Sequence, residues 1–351
     1  MEVNKVRFVS RFGAGQNIMG FASFLMLVLV IGLRWETATD WDPYLKFFNS
    51  QLNVGLLEQN QDFEIGYVYL TRLIHLISPD YSIFLIIHAL IFLSFLYLSY
   101  KHLVKEYFIL AITLYFAIYI GMTGSNRQLL AIAIGLFAVV QLTKKNFLAF
   151  FLLLGLAMTF HTTAILLVLY LFFTKKIPVW IWIVAIVCSV AFGLSNLPGK
   201  IFGVASLLGE TASGKVEFYG GGDQIEGSVF GVLKRLVIAF VFLFLANKFR
   251  SKHMYYDICL NGFLFSVVMF FLFKQLPVMG RANLYFNIME PVLMTFLLSL
   301  FKDKIFKNLI LGAYLIMSIF YFRQSIQLYP QLFVPYKGIW INQDYARPQL
   351  E

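Results

Sequence analysis

The chain of 351 residues is poor in charge and in cysteine. Charged residues make up 13% of it and hydrophobic residues 60%, whereas a soluble domain averages about 25% and 45–50%. The only two cysteines, Cys188 and Cys259, lie in apolar runs, so no disulfide framework is expected. No run alternates apolar and polar residues, and no phosphate-cradling glycine motif follows a strand. These absences predict an all-α polytopic membrane protein without nucleotide chemistry.

Long apolar runs supply the candidate spans, which need roughly 17–25 residues each. They are 17–34, 81–100, 107–121, 128–142, 178–195, 229–246, 258–273, 284–300 and 308–322, with 147–173 undecided between one crossing and two. His161 lies in the middle of that undecided run.

Lysine and arginine decide the topology, because short cytoplasmic loops are rich in both. If 147–173 crossed once, Lys175-Lys176, the cluster 248–252 and the cluster 302–307 would all lie outside. If the run turns back at His161, every cluster is cytoplasmic. The sequence therefore predicts a helical hairpin with His161 at the outer face, and about 11 spans with the N-terminus inside and the C-terminus outside.

We expect one integral-membrane domain over residues 1–351. Its larger polar segments would then lie outside: a first outer loop at 35–80, a large outer loop at 196–228 and an outer tail at 323–351. A net charge of +10 fits cytoplasmic flanks and anionic ligands better than nucleic acid in such a chain. The protein is therefore expected to work at the outer surface of the membrane.

Asp40 and Asp42 lie near the start of the first outer loop, and Tyr44 follows them. This is either a solvated acidic loop or a site where a carboxylate binds a sugar or accepts a proton from its hydroxyl. The segment near 64–78 is too polar to span, and its pattern predicts an amphipathic helix at the membrane interface. On that helix one arc holds Glu64, Tyr67, Thr71, Arg72 and His75, and Leu70, Leu73, Ile74 and Ile77 face away.

Arg127 lies in the first turn of a predicted span, in the stretch "GMTGSNRQLL". Ser125 or Asn126 is expected to cap this helix, and backbone amides with an arginine make an anion site. The alternative is an arginine that reaches toward lipid headgroups. The stretch "KQLPVMGRANLYF" has the same arrangement, a glycine followed by an arginine at the start of a predicted span. The arginine there is Arg281, and Tyr285 lies one turn further on. Lys234-Arg235 adds positive charge at another outer helix end, and Glu290 is an ionisable residue within a span.

Three stretches together resemble the EpsG family of Wzy-type polysaccharide polymerases. "LRWETATDWDPYLKFF" resembles the arginine…Asp-x-x-x-Tyr signature of that family, and "EIGYVYLTRLI" resembles its Glu-x-Gly-Tyr segment. The stretch from "NRQLLAIAIGL" to "FHTTAILLVLYLF" is similar to its Arg-Gln-x-x-Ala helix, Lys-Lys loop and Phe-His hairpin. The matches keep the family's order over roughly residues 30–175.

The resemblance implies a multi-span glycosyltransferase with a GT-C-like fold in the bacterial inner membrane. Its substrates would be undecaprenyl-pyrophosphate-linked oligosaccharides as donor and acceptor, with a chain-length regulator as a possible partner and no metal or other cofactor. Arg127 and Arg281, aided by Arg72 and Arg235, would bind pyrophosphate. Glu64 or Asp40 would act on the acceptor hydroxyl, and His161 would be either the base or a hydrogen-bond donor to the leaving group. Sugar binding is assigned to Asp42, Tyr44, Tyr67 and Tyr285.

Two other functions remain open from the residues alone. A lipid-linked oligosaccharide flippase would need charged residues along a passage to the cytoplasm, but the charged candidates here cluster outside. A membrane O-acyltransferase would use the histidine, and it leaves the paired outer arginines without a role.

Overall fold

The computed structural model describes residues 6–55, 58, 63–195, 229–273 and 277–347. The large outer loop expected at 196–228 lies outside these residues. The described chain is helical, and its only bridges between extended residues join Arg34 to Gly338 and Gly338 to Ile341. The α-helices are α1 Val6–Gly32, α2 Trp41–Ser50, α3 Ile65–His75, α4 Tyr81–Val104, α5 Phe108–Tyr119, α6 Asn126–Thr143, α7 Phe147–Phe160, α8 Tyr170–Phe173, α9 Val179–Leu194, α10 Val229–Phe244, α11 Ala246–Arg250, α12 Tyr256–Leu272, α13 Pro277–Asn287, α14 Met289–Phe296 and α15 Lys304–Ser325.

Several helices have the length and composition of membrane spans. Four stretches are long and apolar enough to cross a membrane: Tyr81–Val104, Asn126–Thr143, Gly280–Leu300 and Lys304–Ser325. Shorter apolar helices accompany them, among them Ile18–Gly32, Phe147–Phe160 and Val179–Leu194. Large apolar side chains on α1, α7, α9 and α15 are exposed, as expected of faces that contact lipid. The all-α membrane fold is therefore confirmed, and the number of spans stays a prediction.

The chain forms two compact units, of which the first comprises Met1–Ile165 and Phe301–Glu351. Within it α4 and α6 run parallel. His88 Nε2 lies 2.8 Å from the Asn126 carbonyl near their starts, and His102 Nε2 lies 2.9 Å from Thr143 Oγ1 near their ends. We call the end near Thr143 the basic end, because Lys101, Lys105, Lys144 and Lys145 lie there. The opposite end, near Asn126, is the loop end.

The last helix and the tail of the chain return to the loop end. α15 packs along α5, and the Gly121 amide donates to Ser325 Oγ at 2.9 Å, so Lys304 at its start points to the basic end. A β-carbon on Gly121 would lie 2.1 Å from the Ser325 carbonyl oxygen, so this contact requires glycine. The tail then packs beside the end of α1, where the Trp35 amide donates to the Lys337 carbonyl at 2.9 Å.

Two short helices fill the first loop at the loop end. One of them, α2, was not predicted from the sequence, and it buries Trp41, Tyr44, Phe47 and Phe48 on one face. The polar arc of α3 faces the protein interior, where Tyr67, Thr71 and Arg72 are buried. Its apolar face is exposed at Ile65, Leu73, Leu76 and Ile77, as an interfacial helix requires. Ile74 was expected on that outer face and is instead buried, since it packs with the polar arc.

The undecided apolar run breaks at His161, as expected. α6 and α7 form a hairpin through the turn at Lys144 and Lys145, so α7 ends at the loop end. His161 is extended, with φ −157° and ψ 117°, and a 3₁₀ helix over Thr162–Leu169 follows it. The return of the chain across the membrane after this break stays a prediction.

The second unit comprises Leu166–Leu300. Within it α9 and α12 run parallel, since Trp182 Nε1 donates to Asn261 Oδ1 at 3.1 Å near their starts. Gly193, near the end of α9, approaches the Phe271 carbonyl so closely that a β-carbon would lie 1.9 Å from it. The basic residues before each helix, Lys175-Lys176 and 248–252, therefore lie at one end of this unit, which fits their predicted common side.

Candidate active site

Arg127 is held at the loop end by side chains of the first loop. Its Nη1 donates to Glu64 Oε2 and its Nε donates to Tyr44 Oη at 3.2 Å. Its guanidinium carbon lies 4.3 Å from the centroid of the Phe63 ring, which is the range of a cation–π contact. The Arg127 and Glu64 side chains keep 24% and 19% of their surface exposed, so the pair is open to a ligand.

Glu64 precedes α3, but its carboxylate does not cap that helix. The Glu64 carboxylate pairs with Arg127 and makes no capping hydrogen bond. Burial raises the pKa of Tyr44, and the adjacent Arg127 charge opposes that rise. Tyr44 is thus a neutral hydroxyl, which accepts from the arginine and keeps a proton of its own to donate.

The start of α6 is fixed by hydrogen bonds that the sequence analysis assigned differently. Ser125 or Asn126 was expected to cap the helix, and Ser125 stands at the N-cap position without a capping bond from its side chain. Ser125 Oγ instead donates to Asp40 Oδ2 at 3.0 Å, and Asn126 Oδ1 accepts from Arg34 Nη2 at 2.7 Å. The expectation of a side-chain cap was wrong because both polar groups bind partners that are distant in sequence.

His161 lies at the same end as Arg127 and Glu64. α3 packs against the last turn of α7, where a β-carbon on Gly66 would lie 2.3 Å from Thr159 Oγ1 and 2.8 Å from its carbonyl oxygen. Glu64 precedes Gly66 by two residues, and His161 follows Thr159 by two. His161 Nδ1 lies 2.5 Å from Thr163 Oγ1, a contact that fixes the orientation of the ring. The close packing at Gly66 therefore brings the predicted acid–base candidates to one end of one unit.

Other predicted residues of the first loop have different surroundings. Asp42 is exposed on the first turn of α2. Tyr67 is fully buried, with its ring 5.3 Å from that of Tyr44. Arg72 is buried, and it donates to Gln51 Oε1 at 2.9 Å and to the Glu58 carbonyl at 2.7 Å. Arg72 thus ties down the loop after α2, and pyrophosphate binding by it stays a prediction.

The remaining candidates belong to the second unit. Arg281 is exposed on α13, whereas Tyr285 is buried and its carbonyl accepts from Tyr170 Oη at 3.1 Å. The guanidinium of Arg235 lies 3.9 Å from the centroid of the Phe270 ring. The joint action of these residues with Arg127 stays a prediction.

Two residues of the first unit carry no assigned role in the sequence predictions: Arg34, which appears only within the arginine…Asp-x-x-x-Tyr signature, and His88. Arg34 and His88 are both buried and both bind Asn126. A histidine in the middle of an apolar span and an arginine at the outer end of another were the available signals, because ionisable residues there are costly.

The described residues contain no group of three or more His, Cys, Asp or Glu side chains placed to hold a metal ion. The site they form is one of arginine, carboxylate, tyrosine and histidine. An arginine already matched to a carboxylate suits a ligand that carries phosphate. A carboxylate and a histidine at the same end suit proton transfer to or from a hydroxyl.

Comparison with known proteins identifies the family of the chain. Neither the curated proteins nor the solved structures include one that matches it. The model of the EpsG family, a Wzy-type polymerase family, matches residues 17–338, which is nearly the whole chain and includes both units. The protein therefore belongs to the EpsG family.

Proposed function

We propose that the protein is a polysaccharide polymerase that joins undecaprenyl-pyrophosphate-linked oligosaccharide repeat units. In this proposal it acts at the outer face of the bacterial inner membrane, in a GT-C-like fold of about 11 spans with a cytoplasmic N-terminus. The family and the apolar helices support a membrane polymerase. The observation that carries the chemistry is the partly exposed Arg127–Glu64 pair, with His161 at the same end of the unit.

The reaction moves a growing chain to a new repeat unit. A hydroxyl oxygen of the acceptor attacks the first carbon of the donor sugar, and the bond from that carbon to the pyrophosphate oxygen breaks. The hydroxyl proton passes to a carboxylate, and the lipid pyrophosphate departs with the bonding electrons. No nucleotide is consumed, since the lipid-pyrophosphate bond supplies the driving force.

The resting contacts suggest an order of events. When pyrophosphate binds Arg127, it displaces Glu64, because both anions use the same guanidinium. The released Glu64 carboxylate can then accept the proton of the acceptor hydroxyl. Asp40 is the second candidate for this role, although it accepts from Ser125 Oγ. His161 donates to the leaving group in this scheme, Arg281 supplies a further positive charge, and Tyr44 and Asp42 contact the sugar.

The test is the length of the polymer in cells. Arg127→Ala, expressed at the normal level, should abolish the ladder of chain lengths and leave single repeat units. Arg323→Ala is the matched control, since Arg323 is an exposed arginine in the last turn of α15 at the same loop end, and it should leave the ladder intact. A full ladder from Arg127→Ala would refute the pyrophosphate assignment.

Purified protein with lipid-linked repeat units separates the rival functions. A polymerase extends the units, a flippase leaves them chemically unchanged, and an O-acyltransferase adds an acyl group when supplied with a donor. Polymer formed without nucleotide supports the proposal, and either of the other outcomes overturns it.

The proposed orientation has its own test in intact cells. With the exposed Cys188 replaced by serine, a cysteine at Asp42 should react with a membrane-impermeant maleimide, and one at Lys145 should react only after lysis. The reverse pattern would place the site on the cytoplasmic side.

A further inference from the structure

Arg34 is a buried cation at the loop end, just after α1. Only 2% of its surface is exposed. The tail of the chain seals it: the Trp35 amide donates to the Lys337 carbonyl at 2.9 Å, and the Ile339 amide donates to the Leu33 carbonyl at 3.0 Å. Its charge is therefore held inside the protein, out of contact with bulk water.

The Arg34 side chain secures the residue next to Arg127. Its Nη2 donates to Asn126 Oδ1 at 2.7 Å, and its Nη1 donates to the Ile31 carbonyl. Asn126 is also held at its carbonyl by His88 Nε2, at 2.8 Å. Both the side chain and the backbone of Asn126 are thus fixed, and this fixes the direction in which the Arg127 side chain leaves α6.

No carboxylate of the described residues forms an ion pair with Arg34. The ion pairs among the described residues are Arg127–Glu64, Lys234–Glu290, Arg250–Asp257 and Lys337–Glu36, and Arg34 belongs to none of them. A buried cation without a counter-charge is costly. A neutral hydrogen-bond donor would be enough to hold Asn126. The positive charge of Arg34 therefore indicates a separate function.

Arg127, in contrast, is neutralised by Glu64 in the resting state. When an anion displaces that carboxylate, the Arg127 charge meets the anion directly, and the buried Arg34 charge acts on it from behind Asn126. Such a pair matches a diphosphate, which carries more than one negative charge, better than it matches a single carboxylate.

We propose that Arg34 is a positioning residue of the diphosphate site, which aims Arg127 through Asn126 and adds an uncompensated positive charge behind it. The inference rests on the proposed function, in which Arg127 binds the lipid-linked pyrophosphate. Arg34 itself does not touch the substrate.

The experiment measures binding of farnesyl diphosphate to the purified full-length protein in nanodiscs of zwitterionic lipid. Arg34→Gln should weaken binding about tenfold, because the charge is lost, whereas Arg34→Lys should recover most of the affinity. Lysine keeps the charge whereas glutamine keeps only a neutral donor, so a role that does not need the charge would make the two variants equally poor. Equal losses therefore overturn the proposal.

A second variant avoids the question of folding. Asn126→Asp keeps an oxygen for the Arg34 hydrogen bond and supplies the missing counter-charge, so the protein should be at least as stable to heat as the wild type. Its affinity for farnesyl diphosphate should fall as in Arg34→Gln, and an unchanged affinity would contradict the role of the charge.

Two further proteins separate this inference from the proposed function. Arg127→Ala should lose binding, and Arg323→Gln should bind as the wild type does. If the wild type fails to bind farnesyl diphosphate at all, the proposed function fails together with the inference. If Arg127→Ala loses binding while both Arg34 variants bind normally, only the inference about Arg34 fails.

Discussion

Replacing Gly66 by alanine should separate the predicted catalytic groups without changing any of them. The new β-carbon would lie 2.8 Å from the Thr159 carbonyl oxygen, and ordinary contact begins at 3.4 Å. A backbone carbonyl in a helix cannot rotate away, so α3 must move from α7 by about 0.6 Å. Glu64, two residues before Gly66, moves with α3, while His161 stays at the end of α7.

The expected cost in stability is small and the expected cost in activity is large. Overpacking of this kind destabilises by about 1–3 kcal/mol, and alanine in a helix regains about 1 kcal/mol relative to glycine. The protein should therefore still fold and insert. A misplacement approaching 1 Å costs a reaction on the order of 10²-fold, so the rate of polymerisation should fall between about tenfold and a hundredfold.

The assay is the initial rate at which purified protein incorporates repeat units, with the midpoint of thermal unfolding measured beside it. Gly155→Ala is the matched control, because Gly155 lies in α7 and a β-carbon there meets nothing within 4 Å. That variant should be as active as the wild type and slightly more stable. If Gly66→Ala polymerises at the rate of Gly155→Ala, the close contact between α3 and α7 does not align the site.

Three further changes have defined outcomes. Tyr44→Phe removes the hydroxyl that accepts from Arg127 at 3.2 Å. Because a hydrogen bond to a charged group contributes about 1.5–3 kcal/mol, the polymerisation rate should fall about tenfold or more at normal expression. An unchanged rate would show that Tyr44 does not hold the arginine. His161→Ala should shorten the polymer ladder with a rate loss of about 10²-fold or more, and a normal ladder would remove the histidine from the mechanism. Lys234→Met leaves Glu290, which is 0% exposed, without its ion pair, and this should cost about 3–5 kcal/mol of stability, measured by thermal unfolding in detergent. Adding Glu290→Met should restore most of that stability. A double variant no more stable than the single one would contradict the ion pair between Lys234 and Glu290.

The long apolar runs predicted an all-α membrane protein correctly, because lipid requires an internally bonded helix with an apolar surface. The predicted grouping of charged residues is also found in the first unit. Lys101 and Lys145 share one end of it, and Glu64 and Arg127 share the other. The break at His161 followed from the same parity of charges.

Local rules failed where contacts distant in sequence competed with them. Ser125 is a good helix cap by residue type, but Asp40, 85 residues away, accepts its hydroxyl. The helix over Trp41–Ser50 was missed because its aromatic residues are buried against other elements and not along a long apolar run. Ile74 lies inside for a similar reason: α3 is packed on two sides, by α4 and α7.

The candidate site was predictable in its residue types and less so in its partners. Arg127 was found from its position at an outer helix end, but its pairing with Glu64 joins residues 63 positions apart. Arg34 and His88 act through Asn126, and no pattern within one helix connects these three. Such a network is visible only when α1, α4 and α6 are brought together.

The seal over Arg34 sets the order in which the protein can mature. Trp35 and its neighbours are made early in synthesis, but the strip that covers them, around Lys337, is made about 300 residues later. Until then the arginine is open to water. The loop end is therefore assembled last, and a ribosome that stalls before the tail releases a chain with its helices in place and its site unfinished.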